Sequence, residues 1–227
     1  MQTTRTMIRL LTILTIIPLT IFSQDNDSTK TRKFSIGLTF SPDYCKTDNG
    51  ANDFPEVPAF GYTAGLNLVY NLNKRVNLET GLFYFDKVEK TKKYDLTFYP
   101  SNPSNPTKNA FTWHNIYVGI PIKIHYCILT KRIKLYVTAG ISANILLTEK
   151  ATSVLEYSDG HTKTSNSTYT GSLSDRDFAG ITGLCIGYAL SDKFAMKIEP
   201  TYRHFLSSTF RAPVHSAGLE IGLYFKL

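Results

Sequence analysis

The chain has 227 residues, 42% of them hydrophobic, and a formal net charge of +7. That length suits one domain or one barrel, and a mean hydropathy of −0.14 excludes a bundle of membrane helices. It does not exclude a membrane β-barrel, where only alternate strand residues meet lipid; 14 Tyr and 14 Phe against one Trp and three Met favour strands.

Arg5 and Arg9 precede a short apolar run, Leu10 to Phe22, and Ser23-Gln24 offers a small residue for cleavage. Residues 1–23 therefore read as a secretory signal peptide, too short for a spanning helix, and 24–32 as a polar leader. No Cys follows closely, so a lipoprotein is not expected. Loss of Arg5 and Arg9 takes the charge from +7 to +5. An exported basic chain argues for anionic lipid head groups as its electrostatic partner and against nucleic acid.

From Lys33 onward apolar and polar residues alternate with period two, eight times. The first predicted strand, Lys33 to Ser41, carries Phe34, Ile36, Leu38 and Phe40 on one face. The others are Ala59 to Leu72, Arg75 to Phe85, His114 to Tyr126, Ile133 to Leu147, Asp177 to Leu190, Lys193 to Phe205 and Ala217 to Leu227. Their apolar faces are rich in Leu, Ile, Val and Ala, as in Leu66 and Leu68, Ile120 and Ile122, or Val137 and Ile141. The opposite faces carry small, polar or charged residues, among them Glu79, Lys123, His125, Lys134, Lys197, Glu199, Arg203, Glu220 and Lys226.

Alternation alone does not say which face looks inward. No charge occurs on any apolar face, as hydrocarbon requires: one Lys or Arg at mid-membrane costs about 2–4 kcal/mol. Aromatics on that face gather at strand ends. Phe34, Tyr70, Tyr126, Tyr188, Phe194 and Phe225 lie near one end, and Phe40, Phe60, Tyr62, Tyr84, Phe178 and Tyr202 near the other, as two interfacial girdles would. The connections alternate between long (42–58, 86–113, 148–176, 206–216) and short (73–74, 127–132, 191–192), as in a barrel with short periplasmic turns. Residues 33–227 are thus predicted to form an all-β, eight-stranded antiparallel up-and-down transmembrane β-barrel in the outer membrane, with the polar faces lining the lumen.

Pro121 and Pro200 fall inside strands, where each removes a ladder hydrogen bond, so bulges or local breaks are expected there. A repeat at constant offset aligns Gly65, Leu66, Tyr70, Leu78 and Tyr84 with Gly183, Leu184, Tyr188, Met196 and Tyr202. An eight-stranded interior is just wide enough to be filled by side chains. Glu79, Glu199 and Glu220 can offset Lys123, Lys134, Lys197, Arg203 and Lys226, so the inward polar cluster Glu79, Lys123, Lys197, Glu199, Arg203 and Glu220 is read as a structural, lumen-lining plug. The sharper alternative is a narrow solute channel.

No catalytic site, cofactor or metal site is expected. Glu199, His204 and Ser207/Ser208 loosely resemble the site of an outer-membrane lipid A deacylase, but Glu199 and His204 point to opposite faces. The three cysteines are widely spaced and suggest no structural disulfide. The stretch Thr162 to Ser174 reads as a solvated loop.

The segments AGLNLVYNLNKRVNLETGLFY, NIYVGIPIKIHY and KIEPTYRH resemble the PorT-like outer-membrane β-barrel proteins of Bacteroidota, a porin-like grouping, over nearly all of 33–227. The resemblance implies a non-enzymatic outer-membrane protein with a structural or interaction role, and a secretion-system or surface partner that it does not specify. The terminal pattern Glu220, Gly222, Phe225 and Leu227 resembles the strand signal read by the barrel-assembly machinery, which a strand with an open edge suits by strand addition.

Overall fold

The computed structural model describes residues 33–47, 56–97, 105–130, 133–172, 175–206 and 214–227; the segments expected to be a signal peptide (1–23) and leader (24–32) lie outside the described residues. Among the described residues there are eleven strands and no helix: β1 (Phe34–Thr47), β2 (Glu56–Val57), β3 (Ala59–Asn71), β4 (Val76–Thr91), β5 (Tyr94–Asp95), β6 (Pro106–Thr130), β7 (Ile133–Tyr157), β8 (Thr162–Thr170), β9 (Arg176–Ala189), β10 (Phe194–Phe205) and β11 (Val214–Lys226). Eight of them form a closed antiparallel ring in the order β1, β3, β4, β6, β7, β9, β10, β11. β1 and β11 close it in register from Ser35↔Lys226 to Thr47↔Val214.

The apolar faces look outward. Leu66, Ile120 and Ile141 are 53%, 55% and 62% exposed, whereas Glu79 and Lys123 are 0% and 1% exposed. A water-soluble barrel has the reverse arrangement, because its apolar face must leave water. Cross-strand register draws the outward aromatics into two belts. At the short-turn rim Phe34 packs on Tyr70 (ring centroids 4.8 Å apart) and Phe194 on Phe225 (5.3 Å). At the long-loop rim Phe40 and Tyr84 both lie beside Tyr62 (6.3 and 6.0 Å), with Tyr44 against Phe60 (5.6 Å).

The strands run further than the apolar alternation does, mostly at the long-loop rim. Most of the described residues within 42–58, 86–113, 148–176 and 206–216 are strand rather than loop: β1 continues to Thr47, β4 to Thr91 and β7 to Tyr157, while β6 begins at Pro106 and β11 at Val214. Beyond the bilayer the outer face meets water instead of lipid, so the hydrophobic period disappears although the hydrogen-bonded ladder persists. β8 makes the same point. It occupies the stretch expected as loop, every residue is exposed, and it pairs with the outer half of β7 from Thr148↔Thr170 to Glu156↔Thr162. Gly160, at φ 85°, closes that hairpin with its N–H donating to Tyr157 O (3.0 Å). At the short-turn rim β6 also outruns its expected end, reaching Thr130 after a register shift between Cys127 and Leu129.

Both in-strand prolines produce local breaks without bulges. The β4–β6 ladder omits Gly81, Leu82, Ile120 and Pro121, yet resumes in unchanged register from Thr80↔Ile122 to Phe83↔Gly119. The β9–β10 ladder omits Glu199 and Pro200 between Ile198↔Ile186 and Thr201↔Gly183. At the first break the Thr80 hydroxyl donates to the Pro121 carbonyl (2.8 Å), which accounts for a polar side chain on the lipid face.

Candidate functional site

The lumen is the one region where the fold concentrates chemistry. Period two points Asp43 and Ser41 (β1), Thr63 and Asn67 (β3), Glu79 (β4), Lys123 and His125 (β6), Thr138 (β7), Cys185 (β9), Lys197, Glu199 and Arg203 (β10), and Glu220 and Tyr224 (β11) inward. Glu79 is the hub. Its carboxylate accepts from Lys197 Nζ (2.8 Å), Asn67 Nδ2 (3.2 Å) and Tyr224 OH (3.3 Å), and Lys123 Nζ lies 3.1 Å away. Lys123 Nζ also donates to both oxygens of Glu220, at 2.9 and 3.1 Å. Arg203 spans the next layer, with Nη1 3.1 Å from each Asp43 oxygen and Nη2 3.4 Å from Glu220. Asp43 further accepts from Ser41 Oγ (2.7 Å) and from the Thr63 hydroxyl. Buried charges persist when paired and hydrogen-bonded in this way.

All six residues of the predicted inward cluster are therefore in the lumen. Five join one network; the sixth, Glu199, is buried with Oε1 lacking a hydrogen-bond partner. Two further predicted partners, Lys134 and Lys226, do not enter it. Both lie at the short-turn rim in contact with solvent, where Lys226 Nζ donates to Ser191 O (3.4 Å). Near a rim, inward parity no longer means burial.

A second cluster nearer the long-loop rim was not legible, because Lys87 and Glu89 follow the last apolar alternation of their strand. Lys87, 3% exposed, has Glu89 and Asp177 each at 3.8 Å and lies over the rings of Phe205 (4.8 Å) and Tyr117 (5.3 Å). Glu89 accepts from Asn115 Nδ2 (2.8 Å). Between the clusters, a cavity of about 10 Å³ bounded by Asp43, Cys45, Thr63, Lys87, Arg203 and Phe205 has room for at most one water.

Three glycines make this packing possible. A Cβ at Gly37 would collide with the Tyr224 ring, and one at Gly218 with the Asp43 carboxylate. Gly222 is similarly constrained: its Cβ would come 2.6 Å from Thr39 Cγ2 and from the Tyr224 ring. Within the terminal pattern, Glu220 and Gly222 thus serve the lumen, while Phe225 belongs to a girdle and Leu227 is exposed.

The hydrolase-like residues do not assemble. Glu199 faces the lumen, whereas His204 lies on the outer face against His215, with their Nδ1 atoms 3.1 Å apart; Ser207 and Ser208 lie outside the described residues. All three cysteines are free and buried. Cys127 and Cys185 flank Tyr136 on successive strands, about two strand spacings or 10 Å apart, beyond the roughly 7 Å a disulfide allows.

The outer membrane protein beta-barrel domain family matches residues 22–211. No curated protein matches the chain. Similar solved structures include Neisserial surface protein A (16% identity, TM-score 0.47, 86% of this chain against 97% of that one) and Ail of Yersinia pestis (15%, 0.36, 86% against 100%). The protease OmpT of Escherichia coli is also similar (8%, 0.41, 89% against 99%).

Proposed function

Because the chain belongs to the outer membrane protein beta-barrel domain family, we propose that it is a non-enzymatic outer-membrane protein whose lumen is plugged and whose protruding sheet meets a partner outside the cell. The observation that carries this reading is the paired interior: two charge clusters cross the lumen, and the cavity between them has about 10 Å³. A polar conduit needs continuous water, and the neutralised Glu79, Lys123, Glu220 and Arg203 occupy its path.

The protruding sheet supports an interaction role. β6 and β7 have 25 residues each. At about 3.3 Å per residue they reach about 80 Å, and at a tilt of about 40° they rise about 60 Å, twice the thickness of the apolar layer. The surplus, with β8 at its edge, stands in water. Surface segments held on a rigid frame commonly carry binding.

Membrane lipid is the partner of the Leu- and Ile-rich wall. The barrel-assembly machinery is the proposed partner during insertion, through β11 and its Glu220, Gly222, Phe225 and Leu227. The PorT-like affinity rests on the GIPIKIHY and KIEPTYRH segments and belongs to the same proposal, as does a secretion-system or surface partner.

Reconstitution into planar bilayers tests the closed lumen. The expected result is no unitary conductance from inserted, heat-modifiable protein. Stable single-channel steps would replace the plug with a narrow channel.

A further inference from the structure

Three inward side chains meet beside the hub of the plug. His125 on β6, Cys185 on β9 and Glu199 on β10 are all buried, and one imidazole nitrogen, the thiol sulfur and one carboxylate oxygen lie within 4.8 Å of one another. No spacing in the sequence marks them. The fold brings them together through the break at Pro200: continuing the register of Ile198↔Ile186 sets Glu199 opposite Cys185. Thr138 stands between His125 and Gly183 in the register, and Gly183 contributes no side chain; a Cβ there would come 2.8 Å from Glu199 Oε1.

One donor atom is unsatisfied although fully enclosed: Glu199 Oε1 has no hydrogen-bond partner, while His125 Nε2 makes no hydrogen bond although Glu79 Oε2 lies 3.3 Å away. Thr138 Oγ1 lies 2.8 Å from His125 Nδ1. With Nδ1–H donating to that hydroxyl, Nε2 presents its lone pair, the arrangement by which a neighbouring acceptor orients a metal-binding histidine. The charges agree. Four carboxylates (Asp43, Glu79, Glu199, Glu220) share the lumen layer with three cations (Lys123, Lys197, Arg203), which leaves one negative charge over.

We propose that His125 Nε2, Cys185 Sγ and Glu199 form a buried structural site for a divalent transition-metal ion, zinc by its donor set. Nitrogen, sulfur and oxygen donors together suit zinc; calcium and magnesium take oxygen alone. Cys185 binds as the thiolate, so a metal–sulfur bond forms as the sulfur–hydrogen bond breaks and the proton leaves to solvent. Donors held about 2.0–2.3 Å from a tetrahedral zinc stand about 3.3–3.8 Å apart, so the triad closes by about 1 Å on binding. Water or Glu79, whose Oε2 is 3.3 Å from His125 Nε2, completes the coordination.

The test is to refold the full chain in detergent under reducing conditions with cobalt(II), as the spectroscopic stand-in for zinc. One cobalt per folded chain is expected, with tetrahedral ligand-field bands and a thiolate-to-cobalt charge-transfer band, all abolished by zinc. Cys185→Ser should lose the charge-transfer band, while Cys45→Ser and Cys127→Ser keep it. Thr138→Val should weaken binding by about 10–100-fold. Native mass spectrometry of the unmutated protein refolded with zinc gives a readout independent of variant folding, since one retained zinc per chain is expected. Absence of the cobalt bands in folded protein, survival of the charge-transfer band in Cys185→Ser, or folded unmutated protein that retains no zinc would each overturn the site.

Discussion

Replacing Lys123 with Met asks whether the lumen is dry. Lys123 is 1% exposed and sits 3.1 Å from Glu79 and 2.9 Å from Glu220. Met keeps the length and removes the charge, leaving two buried carboxylates short of a counter-ion. Removing one partner of a buried ion pair costs about 3–5 kcal/mol. Glu79 retains Lys197 at 2.8 Å and Glu220 retains Arg203 at 3.4 Å, so the lower end, about 3 kcal/mol, is expected. Adding Glu220→Gln removes the charge that Lys123→Met strands, so the two changes should couple favourably by about 1–3 kcal/mol. Equilibrium urea unfolding in lipid vesicles measures both, followed by the gel mobility of folded barrel and by Trp113, the single tryptophan. A Lys123→Met barrel within about 0.5 kcal/mol of the parent would mean that water already reaches these carboxylates, and the plug would fail with it.

Ile141→Arg places a charge on the lipid face of β7 and should cost about 2–4 kcal/mol in the same assay, whereas Thr168→Arg on β8, outside the bilayer, should stay within about 0.5 kcal/mol. The corner of the protruding sheet should loosen in acid. The Lys93 ammonium, 2.5 Å away, holds the Glu156 carboxyl below its usual range, so the pairing contributes above the unfolded carboxyl's range and is lost as pH falls through the lowered value. The hydrogen-exchange protection factor of the Leu96 amide, which donates to Thr107 O (2.8 Å), should fall in acid in the parent, and Lys93→Gln should remove that fall. Thiol titration of the unfolded, non-reduced chain should find three free cysteines; fewer would contradict the spacing of Cys127 and Cys185 across Tyr136.

Period-two alternation carried the fold because the bilayer reads every second side chain. Where it reads them, from Phe34 to Phe40 or Leu66 to Leu72, strand, face and girdle all follow from the sequence. Where the strands leave the membrane the code stops, and Thr162–Thr170 looks like loop although it is a paired strand. The same limit hid part of the site. Glu79, Lys123 and Glu220 sit mid-strand among apolar neighbours and announce themselves by parity. Asp43 and Lys87 lie just past the last apolar residue and do not, although each is buried. Cys185 had the right parity, between Gly183 and Gly187, yet a cysteine on a small-residue face reads as filler until Glu199 and His125 are brought beside it.

The repeated hairpin explains why charge is satisfied on one side of the lumen and not on the other. β3–β4 and β9–β10 are four places apart in a ring of eight, so they face each other across the interior. Residues equivalent under the repeat then meet near the axis. Glu79 and Lys197 are 118 residues apart, which is the repeat offset, and pair at 2.8 Å. Glu199 has Gly81 as its equivalent, and a glycine supplies no counter-charge from the far wall. The unpartnered oxygen of Glu199 lies where Cys185 and His125 converge.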